Sequence, residues 1–391
     1  MVLFQYSYFC FLGFIASSFF SPTARTVFLV AGLALWALSF LQKQPASLRS
    51  LKVESIDWIY RFFLVYIVAN LVLELIHSQS MMHWLKSCVS TYAQCFWCYF
   101  VIASPPRGFT SRSNPVDRPK LLQQTVIVVG GLLALIVVLQ LVGLVPMAGN
   151  YYGILSQPFT SSGILLISFF LTLSSLRAPA KQSNAPTSNY DWFLYLNMAL
   201  QFIAIFALGQ RSTWLGVLLA LLIYIGVQKL YCKKRFWFGL VTLALLGTLV
   251  SNASPRVQRK LEKFMQPQTW LESKTMQDRK QIWQINHQAW TQKIGFGIGK
   301  IVEYEGLKHA HNIYLQQLFC GGVFKFAAWL LLYLSIGLAL VRLLGTQPEA
   351  FLAYLALSVE GLMENWWGDG EVLSLFVVLL VLALLKSKEK L

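Results

Sequence analysis

The sequence predicts an all-α polytopic membrane protein with about 12 transmembrane helices and one large loop on the outer face. Three observations carry that prediction. Of 391 residues, 56% are hydrophobic and only 12% charged, where an ordinary soluble domain carries about 25% charged residues. Apolar runs of spanning length recur along the whole chain. Lysine and arginine alternate between the loops in a way that fixes an orientation. Composition therefore excludes a soluble cytosolic enzyme, and the high hydrophobicity excludes a disordered chain.

A spanning helix needs about 20 mostly apolar residues. Such runs fall at 2–20, 26–42, 57–76, 84–103, 123–145, 155–176, 191–208, 213–231, 236–252, 322–344, 349–366 and 370–386. The first lacks a basic n-region and a small-residue cleavage site, so it reads as a span and not a signal peptide. With the N-terminus inside, the inner loops hold 17 lysines and arginines, and the short outer loops hold only Arg25 and Arg211. Both termini are then cytoplasmic. Residues 1–252 form nine spans, 253–310 the long outer loop, and 311–391 the last three spans. Six cysteines (Cys10, Cys88, Cys95, Cys98, Cys232, Cys320) lie in apolar stretches without a disulfide framework. Cys95-x-x-Cys98 sits inside one such run and reads as packing.

A net charge of +16 would point to nucleic acid in a soluble chain. Here topology accounts for about half of the positive charge, and no nucleic-acid partner is expected. The long outer loop carries a further net +5, which orientation does not require. Either it touches anionic headgroups, or it is a basic lid over an anionic substrate, with Arg256 and Lys260 among the binding groups. Within it, 276–291 has Ile282, Ile285 and Ala289, with Trp283 and Trp290, at helical spacings. That pattern predicts an amphipathic helix along the membrane surface holding Arg279 near phosphate.

Three clusters converge on the outer boundary. Gly209-Gln210-Arg211-Ser212 forms a very short turn between two spans. An arginine there either snorkels or grips an anion, and its planar fork suits phosphate oxygens. Arg279 is followed by Gly295-Phe296-Gly297-Ile298-Gly299-Lys300, which resembles a phosphate cradle. A dinucleotide site needs a strand before it and a helix after it, so these glycines read as a turn. The third cluster is His309-Ala310-His311-Asn312-Ile313-Tyr314, at a helix start. Two histidines suggest a metal, yet no third ligand follows at a recognisable spacing. Structural histidine and general base remain, with Asn312 orienting the base or the substrate.

Intramembrane ionisable groups are functional candidates. Asn70, Glu74 and His77 share a helical face at the outer end of one span, with Lys86 at the start of the next. Glu360, Glu364, Asp369 and Glu371 gather around the last outer turn. Glu364 is the carboxylate best placed to pair with an arginine or to orient His311; a purely structural ion pair is the other reading.

Taken together, Gln210-Arg211-Ser212, the long loop with Arg279 and Gly295-x-Gly-x-Gly299, and His309-x-His311-Asn312-x-Tyr314-Leu315 running to Gly321-Gly322 resemble the O-antigen ligase and polymerase superfamily. The resemblance covers roughly residues 205–325; elsewhere only topology agrees. One position departs from the ligase pattern, where Lys325 stands in place of Gly, Thr or Tyr. The resemblance implies a GT-C-like bacterial inner-membrane glycosyltransferase with a periplasmic loop. Its donor would be a glycan on undecaprenyl pyrophosphate, and it would need no metal or other cofactor. Arg211 and Arg279 correspond to the phosphate-gripping arginines and His311 to the essential histidine. Gln210, His309, Asn312, Tyr314, Glu364, Glu74 and Lys86 are the further candidates for substrate contact. The acceptor expected first is lipid A–core, which makes the product lipopolysaccharide. A polymerase, or a protein O-oligosaccharyltransferase, shares the same signature. A transporter for an anionic lipid is the rival of a different class; it would place charges near mid-bilayer and show repeats.

Overall fold

The computed structural model describes residues 2–18, 54–77, 118–147, 158–177, 189–229 and 272–388, with scattered positions at 27–35 and 232–266. Regular structure among them is helical: α1 Val2–Ser18, α2 Glu54–His77, α3 Arg118–Leu141, α4 Pro158–Arg177, α5 Asn189–Leu208, α6 Arg211–Val227, α7 Lys274–Thr291, α8 Ile313–Arg342, α9 Pro348–Glu360 and α10 Gly370–Lys388. Lys120–Leu141, Phe159–Leu176, Asp191–Leu208 and Ile313–Arg342 are long and apolar enough to cross a membrane. The chain is therefore a helical membrane protein. The spans expected at 26–42, 84–103 and 236–252 lie wholly or mostly outside the described residues.

Helices α3, α4 and α5 pack through small and polar residues, as helices must where no hydrophobic force drives them together. Gly130 and Gly131 on α3 leave no room for a Cβ against Ser168 and Asn197. Asn197 Nδ2 donates to the Ile127 carbonyl at 2.9 Å, and Gln201 Nε2 to Ser168 Oγ at 2.8 Å. Helix α6 comes equally close to α9, where Gly216 faces the Ala356 backbone.

Two expectations need correction. The run 349–366 does not form one span. Helix α9 stops at Glu360 after 13 residues, a length of about 20 Å, short of the ~30 Å hydrocarbon core. Gly361 ends it, and Trp366 Nε1 then donates back to the Leu357 carbonyl at 2.7 Å, folding the chain into a turn and the short 3-10 helix Trp366–Gly368. The second concerns the span expected to start at 322. Helix α8 begins nine residues earlier, at Ile313, and is kinked at Gly322 (φ 63°, ψ −173°).

That kink explains the glycine-rich run. A break at 322 frees the carbonyls of Phe319 and Cys320 and the N–H groups of Val323 and Phe324, and buried backbone groups need partners. The loop supplies them. Ile298 N donates to Phe319 O at 2.9 Å and Gly299 N to Cys320 O at 3.0 Å, while Val323 N donates to Ile294 O at 2.9 Å. Gly297 (φ 71°) and Gly322 meet backbone to backbone, with no space for a side chain. The run is a turn, as expected, and it also clamps the kink.

Gly322 holds a conformation that is essentially glycine-only, and forcing another residue into it costs about 1–3 kcal/mol. Gly322→Ala is therefore expected to lower the thermal midpoint of the detergent-solubilised protein by several degrees. Gly226→Ala, whose added methyl meets nothing within 4 Å, is expected to leave it unchanged or raise it. Equal midpoints for the two variants in a fluorescence melt would contradict the clamp.

Candidate functional site

Ser273 caps α7, its Oγ accepting from Met276 N, and the helix carries Arg279 in its second turn. The apolar face expected on this helix closes a small core of Ile282, Ile301, Ala310 and Phe319. Asn286 is buried within it. Its side chain accepts from Val302 N at 2.7 Å and donates to Val302 O at 3.1 Å, so one amide replaces a strand pairing for the returning loop. Trp283 Nε1 donates to the Ala310 carbonyl at 2.6 Å, and Ala310 N donates to Gln316 Oε1 at 2.8 Å. These bonds fix the residue just before His311. His311 itself adopts φ 48°, a left-handed conformation uncommon outside glycine and found preferentially at functional sites.

Beyond it, Asn312 caps α8. Its Oδ1 accepts from Leu315 N at 2.9 Å, and its Nδ2 donates to the Leu362 carbonyl at 3.0 Å. Ile313 N donates to Gly361 O at 2.8 Å. The histidine motif and the turn after α9 are thereby sewn together, which brings Glu364 to its place. Below lies an aromatic core: Trp329 stacks on Tyr333 at 4.9 Å, and Tyr314 and Trp367 meet Trp329 edge-on.

Glu364 joins two candidate residues. Its Oε1 accepts from Arg279 Nη2 at 2.8 Å, and its Oε2 lies 3.1 Å from His311 Nδ1. The carboxylate side chain is 9% exposed, against 14% for Arg279 and 22% for His311. Partial burial keeps the pairs less screened than surface ion pairs. A carboxylate oxygen facing Nδ1 at this distance accepts from an Nδ1–H. In the neutral ring that leaves the lone pair on Nε2, the arrangement a general base requires.

Two cavities meet at Glu364. One, of about 360 Å³, is lined by Gln210, Arg211, Ser212, Arg279 and Glu364, with an apolar wall of Leu215, Met276, Val359, Leu362 and Met363. Arg211 opens α6, turned there by Gly209 (φ 66°). The other, of about 550 Å³, is lined by Lys308, His309, His311, Glu364, Asn365, Asp369 and Glu371 among others. Arg211, Arg279, His311 and Glu364, far apart in sequence, thus surround one junction.

Other candidates fall elsewhere. Asn312 serves the helix cap and the Leu362 carbonyl. The Tyr314 hydroxyl is bonded to the Ser358 carbonyl at 3.2 Å, inside the aromatic core and in neither cavity. His77 Nε2 meets the Phe296 carbonyl at 3.0 Å and so braces the glycine run. Asn70 Nδ2 bonds its own helix at the Tyr66 carbonyl. The Glu74 side chain, Lys86, Arg256 and Lys260 lie outside the described residues. Among the described residues, no group of three or more His, Cys, Asp or Glu is arranged to hold a metal ion.

The acidic cluster separates into distinct tasks. Glu360 is buried, its Oε1 accepting from Ser162 Oγ at 2.8 Å and Thr213 Oγ1 at 2.7 Å. Asp369 accepts from Thr160 and caps α10 through the N–H groups of Glu371 and Val372. These hydroxyls had no motif to announce them. The available signal was Thr160-Ser161-Ser162 opening an otherwise apolar run.

No curated protein matches the chain. Residues 196–330 match the family model described as O-antigen ligase, a segment that includes Arg211, Arg279 and His311. That segment, about a third of the chain, is thus similar to the O-antigen ligase family.

Proposed function

We propose that the protein is an O-antigen ligase-type glycosyltransferase at the periplasmic face of the bacterial inner membrane. It moves a glycan from undecaprenyl pyrophosphate to a lipid A–core acceptor. The observation that carries this reading is the bridging carboxylate. Glu364 ties Arg279, in a cavity with two guanidiniums and an apolar wall, to His311, whose imidazole is suited to take a proton. Two guanidiniums beside aliphatic side chains fit a diphosphate attached to a hydrocarbon chain.

The chemistry follows from that placement. His311 Nε2 takes the proton of an acceptor hydroxyl, and that oxygen forms a bond to the anomeric carbon. The bond from that carbon to the diphosphate oxygen breaks, and the diphosphate leaves with the electron pair. Attack opposite the leaving group inverts the anomeric centre. Arg211 and Arg279 face the charge that develops on the departing diphosphate, the role for which preorganised donors are most effective. Glu364 holds the imidazole in its basic tautomer and supports the positive charge it acquires.

Fixed cations take the part that a divalent ion plays in many transferases, so chelation is the direct test of metal independence. Purified protein treated with excess EDTA is expected to retain full transfer. Loss of activity restored by a divalent ion would contradict the two-arginine account. A polymerase is the second reading, favoured by Lys325 at the position where the ligase pattern has Gly, Thr or Tyr. The two differ by product. Deleting a ligase leaves polymer on the carrier, whereas deleting a polymerase leaves single repeats.

A further inference from the structure

We infer that Glu360 is a positioning residue for the donor cavity, acting through Thr213 to hold the Arg211 guanidinium at a fixed separation from Glu364. The inference rests on the diphosphate reading above and adds a buried residue that acts through two others.

The Glu360 side chain is buried, and one of its oxygens makes the connection. Oε1 accepts from Thr213 Oγ1 on α6 at 2.7 Å and from Ser162 Oγ on α4 at 2.8 Å, while Oε2 has no hydrogen-bond partner among the described residues. Thr213 stands two residues after Arg211, in the first turn of α6. The backbone of Glu360 reaches the other way: its carbonyl accepts from Met363 N and Glu364 N, both at 3.0 Å. One residue therefore links the start of the helix that carries Arg211 to the turn that carries Glu364. Arg211 and Glu364 both line the 360 Å³ cavity.

Packing brings these two elements together without setting that separation. Helices α6 and α9 already meet where Gly216 faces the Ala356 backbone, but apolar contact is non-directional. A hydrogen bond adds distance and angle, and this one does so within a turn of Arg211. The precision matters because a guanidinium aimed at a developing charge acts through its placement, and a shift of about 1 Å can cost ~10²-fold. Ser162 shares the same oxygen but belongs to α4, which carries none of Arg211, Arg279 and Glu364. The two hydroxyls therefore separate positioning from general packing.

The test measures binding of undecaprenyl pyrophosphate to the full-length protein in nanodiscs. Thr213→Val deletes the hydroxyl and keeps the shape. It is expected to weaken binding about tenfold, the low end of what a hydrogen bond to a charged group contributes. Thr213→Ser restores the hydroxyl and should bind within about twofold of wild type. Ser162→Ala should do so too, although it removes a bond to the same oxygen. In the Arg211→Ala background Thr213→Val is expected to cost nothing further, because its effect passes through the missing guanidinium. Thr213→Ala is read in its place if the valine variant does not fold. Equal weakening by Ser162→Ala and Thr213→Val, or a tenfold loss that persists without Arg211, would overturn the positioning role and leave the diphosphate reading standing. A wild-type protein that does not bind the lipid diphosphate would overturn that reading, and this assignment with it.

Discussion

His311→Ala is expected to lower glycan transfer by about 10²–10⁴-fold, the usual worth of a positioned general base, while donor binding stays within a few-fold of wild type. The separation follows from geometry. His311 lines the 550 Å³ cavity and is absent from the wall of the arginine cavity, so removing it takes away the proton acceptor and leaves the diphosphate contacts. Its left-handed backbone also means that alanine keeps the strain and loses only the ring. Glu364→Gln should produce a smaller loss. The amide keeps the shape of the bridge, but it no longer stabilises an imidazolium and can present a donor to Nδ1, favouring the wrong tautomer. Full-length transfer assays with acceptor and donor varied separately distinguish these outcomes. A Glu364→Gln variant as impaired as His311→Ala would show that the carboxylate does more than orient.

Arg279→Ala is expected to cost about 10²–10³-fold in turnover, equivalent to some 3–4 kcal/mol of transition-state stabilisation. Arg211→Ala should cost a similar amount, since the two guanidiniums line one cavity and feel one another's charge. Arg279 has a second task that Arg211 does not share. It neutralises one oxygen of Glu364 at 2.8 Å while the other faces His311. Without it the carboxylate turns its whole charge on the imidazole and favours the protonated ring, which is useless as a base. Arg279→Ala should therefore shift the pH–rate profile to higher pH, and Arg211→Ala should not. Arg279→Lys recovers part of the charge but not the planar fork. Because the residues act on one leaving group, the double variant is expected to lose less than the product of the single losses.

Much of the site was legible in the sequence because ionisable residues are conspicuous in an apolar chain. Arg211 and Glu364 stood out on cost, and Arg279 and His311 through their motifs and the family resemblance; the structure gathers all four around one junction. What sequence does not carry is how each polar group is satisfied. Asn312 and Tyr314 looked as available for substrate as His311, yet a helix cap and an aromatic core claim them. Asn286, which no pattern singled out, is buried and holds the loop at Val302. Hydropathy also reads composition without geometry. It ran α9 through the turn to 366, because Trp366, which folds the chain back, counts as apolar, and it began α8 at the kink, passing over the helical segment 313–321 with its Gln316-Gln317 pair. The glycines of 295–299 were recognised as a turn. Their clamp on Gly322 depends on hydrogen bonds across two distant segments, which no local pattern encodes.

The most direct measurement takes purified protein in nanodiscs with polyprenyl-diphosphate-linked glycan and an acceptor, and records donor binding and single-turnover transfer for wild type, Arg279→Ala and His311→Ala side by side. Arg279→Ala should weaken donor binding and slow transfer together, whereas His311→Ala should bind donor as wild type does and fail to transfer it. A His311→Ala variant that transfers at a near-normal rate, or an arginine variant with undiminished binding and turnover, would contradict the division of labour across Glu364.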